Sequence, residues 1–119
     1  MSLLKISEAY GMSLWLPLAD TAEMSDLLER GGFLVAPMGE PWSTDVLQWQ
    51  AFFFGRGRSV AAVSIGVMKD GSDFTHATLY PCRRLLHWFH RPGDIRIIRQ
   101  CTTWLLNNGG RMHSSVQPT

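Results

Sequence analysis

The sequence has few cysteines and no long apolar run, and each of these two shortages excludes a class of protein. Cys82 and Cys101 are its only cysteines, and without a CxxC pair they exclude the common zinc-finger frameworks. No uncharged apolar stretch reaches the ~18 residues that a membrane span needs. The N-terminal residues lack a basic start and a long apolar stretch, so we expect no secretory signal, no membrane association, a cytoplasmic location and two reduced thiols.

Repeats, low-complexity tracts and linkers are also missing, which indicates a single domain. A chain of 13.4 kDa can bury about two-thirds of its surface, enough for one hydrophobic core and too little for two. The composition, 45% hydrophobic and 18% charged, is typical of a globular protein. We expect one α+β domain over residues 1–108 and a disordered tail over residues 109–119, which have almost no apolar content.

The charges are distributed unevenly along the chain. Residues 1–54 carry two basic and seven acidic side chains, whereas residues 55–119 carry nine basic and three acidic ones. Such asymmetry is typical of proteins with an anionic partner. It is equally compatible with two halves that face each other within the fold or across a dimer.

Hydrophobic periodicity predicts the order β-α-β-β-β-β-α-α. We therefore expect an α+β fold in which helices cover one face of an antiparallel-rich sheet of four to five strands, with a C-terminal antiparallel helical hairpin. The predicted strands cover residues 14–18, 33–36, 46–54, 60–68 and 74–79, and the predicted helices cover 21–30, 83–91 and a segment capped by Asp94. Both cysteines fall on apolar helix faces of the hairpin, so we expect them to be buried and close together.

Residues 46–54 fit two kinds of element. Val46, Trp49 and Phe53 have helical spacing, whereas Leu47, Trp49, Ala51 and Phe53 alternate with Gln48 and Gln50. The aromatic content favours a strand whose polar side carries the two glutamines.

Local signals mark several boundaries more sharply. Asp20 and Glu23 have the spacing of a capping box, and Gly31-Gly32 predicts a left-handed helix end. Gly55–Arg58 is predicted as a turn; it lacks the Lys-Ser/Thr that follows a phosphate-binding loop. Asp70-Gly71 predicts a hairpin.

A basic helix is the first candidate site. On the 83–91 segment one face carries Arg83, Arg84, His87, His90 and Arg91, and the turn residues Arg56 and Arg58 could extend it. Such a face can bind a polyanion or an acidic protein, although a solvated helix surface has the same pattern. His87 and His90 could ligate zinc with His76 or Cys82, but this spacing is common by chance, so we expect neither a metal site nor a cofactor.

Aromatic side chains are the second candidate site. Five tryptophans and six phenylalanines exceed the needs of a small core and suggest a ligand cleft or a subunit interface. The candidates are Trp42, Trp49, Phe53 and Trp88, of which Trp42 lies in a polar loop and is expected to be exposed unless its ring folds back over the sheet edge.

Three function classes remain open. The first is a non-enzymatic binding module that forms a homodimer and presents the aromatic cleft or the basic helix. The second is a binder of nucleic acid or another anion through the helix. The third is a small enzyme with a pocket lined by Trp and Phe, whose chemistry comes from His76, Asp73 or Cys82. The first is favoured because no acid, base and nucleophile converge in a recognisable motif.

Self-association is the first testable expectation. Excess aromatic surface and oppositely charged halves suit a self-complementary two-fold contact. Light scattering at micromolar concentration should therefore report about twice the monomer mass of 13.4 kDa. A monomer mass over a wide concentration range would contradict the expected dimer.

Overall fold

The computed structural model describes residues 12–81 and 92–112. This part of the chain forms seven strands and two helices, so the α+β class is confirmed and the strand count is higher than predicted. In chain order the elements are β1 (Met12–Trp15), α1 (Ala22–Arg30), β2 (Leu34–Pro37), β3 (Trp42–Ser43), β4 (Leu47–Arg56), β5 (Ser59–Met68), β6 (Thr75–Pro81), α2 (Pro92–Asn107) and β7 (Arg111–Met112).

All strand pairs of the described residues are antiparallel, and the strands lie in the order β2-β4-β5-β6-β1-β7. The predicted meander of β4, β5 and β6 is confirmed. The prediction of four to five strands is wrong because it does not include β3 and β7, which have two residues each. They exist through pairing with β4 and β1, and a two-residue segment carries no periodicity of its own. Strand β7 lies within the segment predicted as a disordered tail, of which residues 113–119 are outside the described part.

The predicted boundaries of α1 are confirmed by its capping contacts. The Asp20 carboxylate accepts a hydrogen bond from the Glu23 backbone N–H at 3.1 Å, which satisfies one of the free donors at the helix start. At the other end Gly32 has a φ of +89°, a conformation that only glycine adopts without strain. The Phe33 N–H then donates to the Leu28 carbonyl at 3.2 Å, as expected for a Schellman motif.

The two turns of the meander follow from local chemistry. Gly57 has a φ of +66° in the two-residue turn between β4 and β5, and Gly at this position fits a type II′ hairpin turn. The longer β5–β6 connection is closed by the Met68 N–H, which donates to the Phe74 carbonyl at 3.0 Å. Within it the Asp70 carboxylate accepts from the Ser72 N–H at 2.9 Å, so the predicted hairpin is present with a loop of more than two residues.

Strand β4 has the predicted extended conformation, and the burial of its side chains shows which of its two sides faces the core. Gln50, Phe52 and Phe54 are buried, whereas Trp49 is 39% exposed. The glutamine side of the strand therefore faces the core, and the side that carries Trp49 faces away from it.

Two hydrogen-bond networks explain how glutamines face the core. The Gln48 Oε1 accepts from the Thr21 N–H at 2.8 Å, at the start of α1. The Gln50 Nε2 donates to the Gly39 carbonyl at 3.2 Å and to the Ala51 carbonyl at 3.2 Å. Because buried amides cost little free energy once they are hydrogen-bonded, these partners allow the large aromatic rings of the same side to enter the core.

Both described helices pack on this one face of the sheet. The predicted apolar face of α2 is confirmed, since Ile97, Ile98, Cys101 and Leu105 are buried. The Trp104 Nε1 donates to the Leu27 carbonyl at 2.8 Å and so joins α2 to α1. The shared core also contains Leu14, Met24, Leu28, Phe33, Phe52, Phe54, Ala61, Val63, Ile65, Val67, Ala77 and Leu79.

Helix α2 begins at Pro92 rather than at Asp94. Asp94 lies in its first turn, fully buried, and its Oδ1 accepts from the Val60 N–H at 3.0 Å. The carboxylate therefore ties the helix start to β5 instead of only capping the helix. The predicted helix 83–91, and with it the helical hairpin and Cys82, lies outside the described residues. Neither α1 nor α2, the helices described, combines the length and apolar character of a bilayer span.

The burial of Cys101 has a measurable consequence. Burial raises the pKa of the Cys101 thiol far above its usual range. In a Cys82→Ser variant, we expect Cys101 to react with a thiol reagent at least about a hundredfold more slowly in the native protein than in denaturant, because reaction requires unfolding.

The same pKa shift has a defined sign for stability. Burial of the protonated Cys101 thiol contributes to the free energy of unfolding, and its pKa is higher in the folded than in the unfolded state. The contribution is therefore fully present below the unfolded thiol pKa of about 8.5 and is lost progressively as the pH rises above it. Denaturant melts at neutral and alkaline pH would measure this loss. Rapid native-state labelling of Cys101 would contradict the buried position.

Candidate functional site

One register line crosses the sheet on the face opposite the helices. Trp42 of β3 lies opposite Trp49 of β4, and Trp49 lies opposite Gly66 of β5. Gly66 in turn lies opposite His76 of β6, and His76 opposite Trp15 of β1. Directly paired residues project from the same face. Five neighbouring strands thus contribute one residue each to a single line.

Gly66 at the centre of this line leaves room for the rings that lie beside it. A Cβ atom at Gly66 would lie 3.1 Å from Cε3 of Trp49 and 3.5 Å from Cε2 of Phe74. Glycine inside a strand often marks such a close approach. We call Trp15, Trp42, Trp49, Phe74 and His76 the aromatic row.

The Trp15 end of the aromatic row is a packed cluster of three rings. Trp15 and Phe74 meet edge to face with ring centroids 5.6 Å apart, and Trp15 and His76 are 5.2 Å apart. Phe74 and His76 are 6.1 Å apart. These separations lie in the range of favourable ring contacts, so the cluster is held in one arrangement.

Three of the five members of the aromatic row are exposed, whereas Trp15 and His76 are half-buried. Trp42 is 55% exposed, Trp49 39% and Phe74 37%. Contiguous exposed apolar surface on a small protein is typical of an interaction site.

A cleft of about 320 Å³ opens at the Trp15 end of the aromatic row. Trp15 and Arg111, which pair across β1 and β7, line one part of it, and Asp73 lines another. In the same loop the hydrogen bond from the Ser72 N–H lowers the pKa of Asp70, so this carboxylate is negative at neutral pH. The cleft is thus lined by an indole, a carboxylate and a guanidinium group.

Two of the four predicted aromatic residues are adjacent in the structure. Trp42 and Trp49 are direct cross-strand partners, and Trp42 is exposed as expected. Phe53 lies on the same face but four residues along β4, roughly 13 Å away at the usual rise per residue. Trp88 lies outside the described residues. Trp15, Phe74 and His76 were not predicted to belong to this site. Their alternation with apolar residues in two predicted strands indicates that they share the outward face.

Arg56 is committed to contacts within the fold. Its guanidinium donates to the Gly31 carbonyl at the end of α1 and to the Gln100 Oε1 of α2 at 3.2 Å, and it lies 4.2 Å from the centre of the Phe33 ring. Arg58 is exposed in the adjoining turn. The other predicted anion-binding residues, Arg83, Arg84, His87, His90 and Arg91, lie outside the described part of the chain, so the basic surface stays a prediction.

The arrangement offers stacking surface rather than a metal-ligand cluster. Within residues 12–81 and 92–112, no group of three or more His, Cys, Asp or Glu side chains is positioned to hold a metal ion. His76, considered above as an acid or base, packs against Trp15 and Phe74 with its Nε2 buried. No protein-family model, curated protein or solved structure shows significant similarity to this chain. Function is therefore inferred from the chain's own geometry.

The contacts of Arg56 predict a structural role that can be measured. Arg56→Met removes two hydrogen bonds and a cation–π contact, so it should lower the free energy of unfolding by about 1–2 kcal/mol. Arg96→Met is the matched control because Arg96 is an exposed α2 residue, and it should change stability by less than about 0.5 kcal/mol. Equal losses in urea melts of the two variants would contradict the assigned role.

Proposed function

We propose that this chain is a non-catalytic binding module whose ligand stacks on the aromatic row. The observation that carries the proposal is the register line that sets Trp42, Trp49 and Trp15 on the face opposite the core. Exposed indoles collected on one face are typical of binding surfaces, where large flat rings supply contact area at little cost in side-chain entropy.

The rings are positioned before a ligand arrives, which favours binding. Trp49 and Phe74 both lie against Gly66, and Trp15 is held by its contacts with Phe74 and His76. A preorganised surface loses less entropy on association. A base that stacks on an aromatic side chain contributes about 1–3 kcal/mol, so two or three stacked rings would contribute roughly 2–9 kcal/mol before the cost of association is subtracted.

The chemistry of the described titratable groups favours binding over catalysis. Cys101 is buried with a raised pKa, which keeps its thiol protonated and unreactive. Asp94 is buried and bonded to the Val60 N–H, so it is tied into the core. These two groups therefore serve the packing of the core and are not available to a substrate.

Tryptophan fluorescence tests the proposal with three classes of probe. These are uncharged oligosaccharides (cellopentaose, xylopentaose, mannopentaose and chitopentaose), an oligothymidylate and a polyproline peptide. We expect one class to shift the indole emission, and Trp42→Ala to weaken that binding by about tenfold. The measurement is a titration of each variant at fixed protein concentration.

Leu34→Ala is the matched control. Leu34 is 75% exposed and lies opposite Gly55, on the same face as the aromatic row but roughly 20 Å along the strands from it. Its truncation should leave binding unchanged. Equal effects at Leu34 and Trp42, or the absence of binding by all three probe classes, would contradict the proposal. Dissociation of a dimer by Trp42→Ala alone would assign the row to self-association instead.

A further inference from the structure

A second register line runs beside the aromatic row on the same face and is rich in hydroxyl groups. Ser64 of β5 lies opposite Thr78 of β6, and Thr78 lies opposite Ser13 of β1. Two residues along each strand separate this line from the aromatic row, a distance of roughly 7 Å. We call Ser13, Ser64 and Thr78 the hydroxyl row.

The hydroxyl row retains hydrogen-bonding capacity. Ser13 Oγ and Thr78 Oγ1 are 3.3 Å apart, and Ser64 Oγ lies 3.0 Å from the Tyr80 hydroxyl. Each hydroxyl offers one donor and two acceptor positions, so the half-buried Ser64 and Thr78 keep further positions for a ligand, whereas Ser13 is buried. A ligand on the aromatic row would therefore find polar partners along one side.

The charges that flank the aromatic row disfavour a polyanion. The Nζ of Lys69 already donates to Ser43 Oγ at 3.2 Å and to the Thr44 carbonyl at 2.9 Å. Nucleic acids bind through cations that neutralise their phosphates. The described segments next to β3, before β6 and in β7 hold two cations, Lys69 and Arg111. Carboxylates outnumber them, since the same segments hold Glu40, Asp45, Asp70 and Asp73.

The length of the aromatic row suits a chain rather than a single ring. Trp42 and Trp15 are four strands apart, which corresponds to roughly 19 Å. A pyranose ring has two apolar C–H faces, which pack on aromatic rings. It also has hydroxyl groups along its edge, which form hydrogen bonds. Linked pyranoses thus match a line of rings flanked by a line of hydroxyls.

On the basis of the function proposed above, we infer that the ligand is an uncharged oligosaccharide. Its sugar rings stack on the aromatic row between Trp42 and Trp15, and its hydroxyl groups hydrogen-bond to Ser64 and Thr78 of the hydroxyl row. The terminal sugar at the Trp15 end reaches the cleft that Asp73 and Arg111 line.

Calorimetric titration with the four pentasaccharides and with oligothymidylate tests this inference. We expect at least one pentasaccharide to bind, with an affinity that stays constant between about 50 and about 500 mM NaCl because the ligand is uncharged. Trp42→Ala should weaken that binding by about tenfold. Thr78→Val, which keeps the shape of the side chain and removes its hydroxyl, should weaken it by about threefold or more.

The outcomes separate this inference from the proposed function. Binding of oligothymidylate or polyproline that depends on Trp42, with no pentasaccharide bound, would overturn the oligosaccharide and leave the binding module standing. Pentasaccharide binding that neither variant weakens would place the sugar elsewhere and overturn the inference. Binding by none of the probes would overturn both. Circular dichroism verifies folding, and if Trp42→Ala does not fold, Thr78→Val decides the outcome.

Discussion

The antiparallel register of β4 on β5 is the constraint on which the rest of the structure depends. Phe52 lies opposite Val63 on the helix side, and Trp49 lies opposite Gly66 on the other side. Because successive side chains of a strand alternate between faces, a slip of one residue would exchange the two sets and turn an indole into the core. The packing of both helices over Phe52 and Val63 therefore also decides where the aromatic row lies.

Two hydrogen-bonded amides, the buried Gln50 and the half-buried Gln48, hold β4 in this orientation. Gln48 bonds to the start of α1 at Thr21, and Gln50 bonds to the link between β2 and β3 at Gly39. A buried amide without its partner costs about 1–3 kcal/mol, so the orientation of β4 and the paths of these two connections are mutually dependent. This dependence explains how the two glutamines can face inward.

The candidate site is a product of the sheet rather than of any one segment. Each of five strands supplies one position of its register line, and Gly66 leaves the space beside which the rings of Trp49 and Phe74 lie. Rigid strands hold such positions more closely than loops do. The adjoining hydroxyl row follows from the same registers, since it lies two residues away along the same strands.

Local chemistry was readable from the sequence alone, because each local signal acts within a few residues. Asp20 and Glu23 start α1, Gly32 ends it, and Gly57 turns β4 into β5, as their spacing predicts. The strands of the meander were also recognisable, whereas β3 and β7 were not, since two residues bear no pattern without a partner strand. The aromatic site could be predicted only to the level of exposed tryptophans such as Trp42.

The tertiary structure decided which face of β4 is buried and which distant residues meet. Trp15, Trp49 and His76 are far apart in the chain and become neighbours through three separate strand pairings. No local propensity encodes those registers, because they are set by the simultaneous burial of one sheet face under two helices and by the hydrogen bonds that satisfy Gln48 and Gln50. The sequence by itself thus determined where helices, strands and turns form, and long-range packing determined the surface that they present.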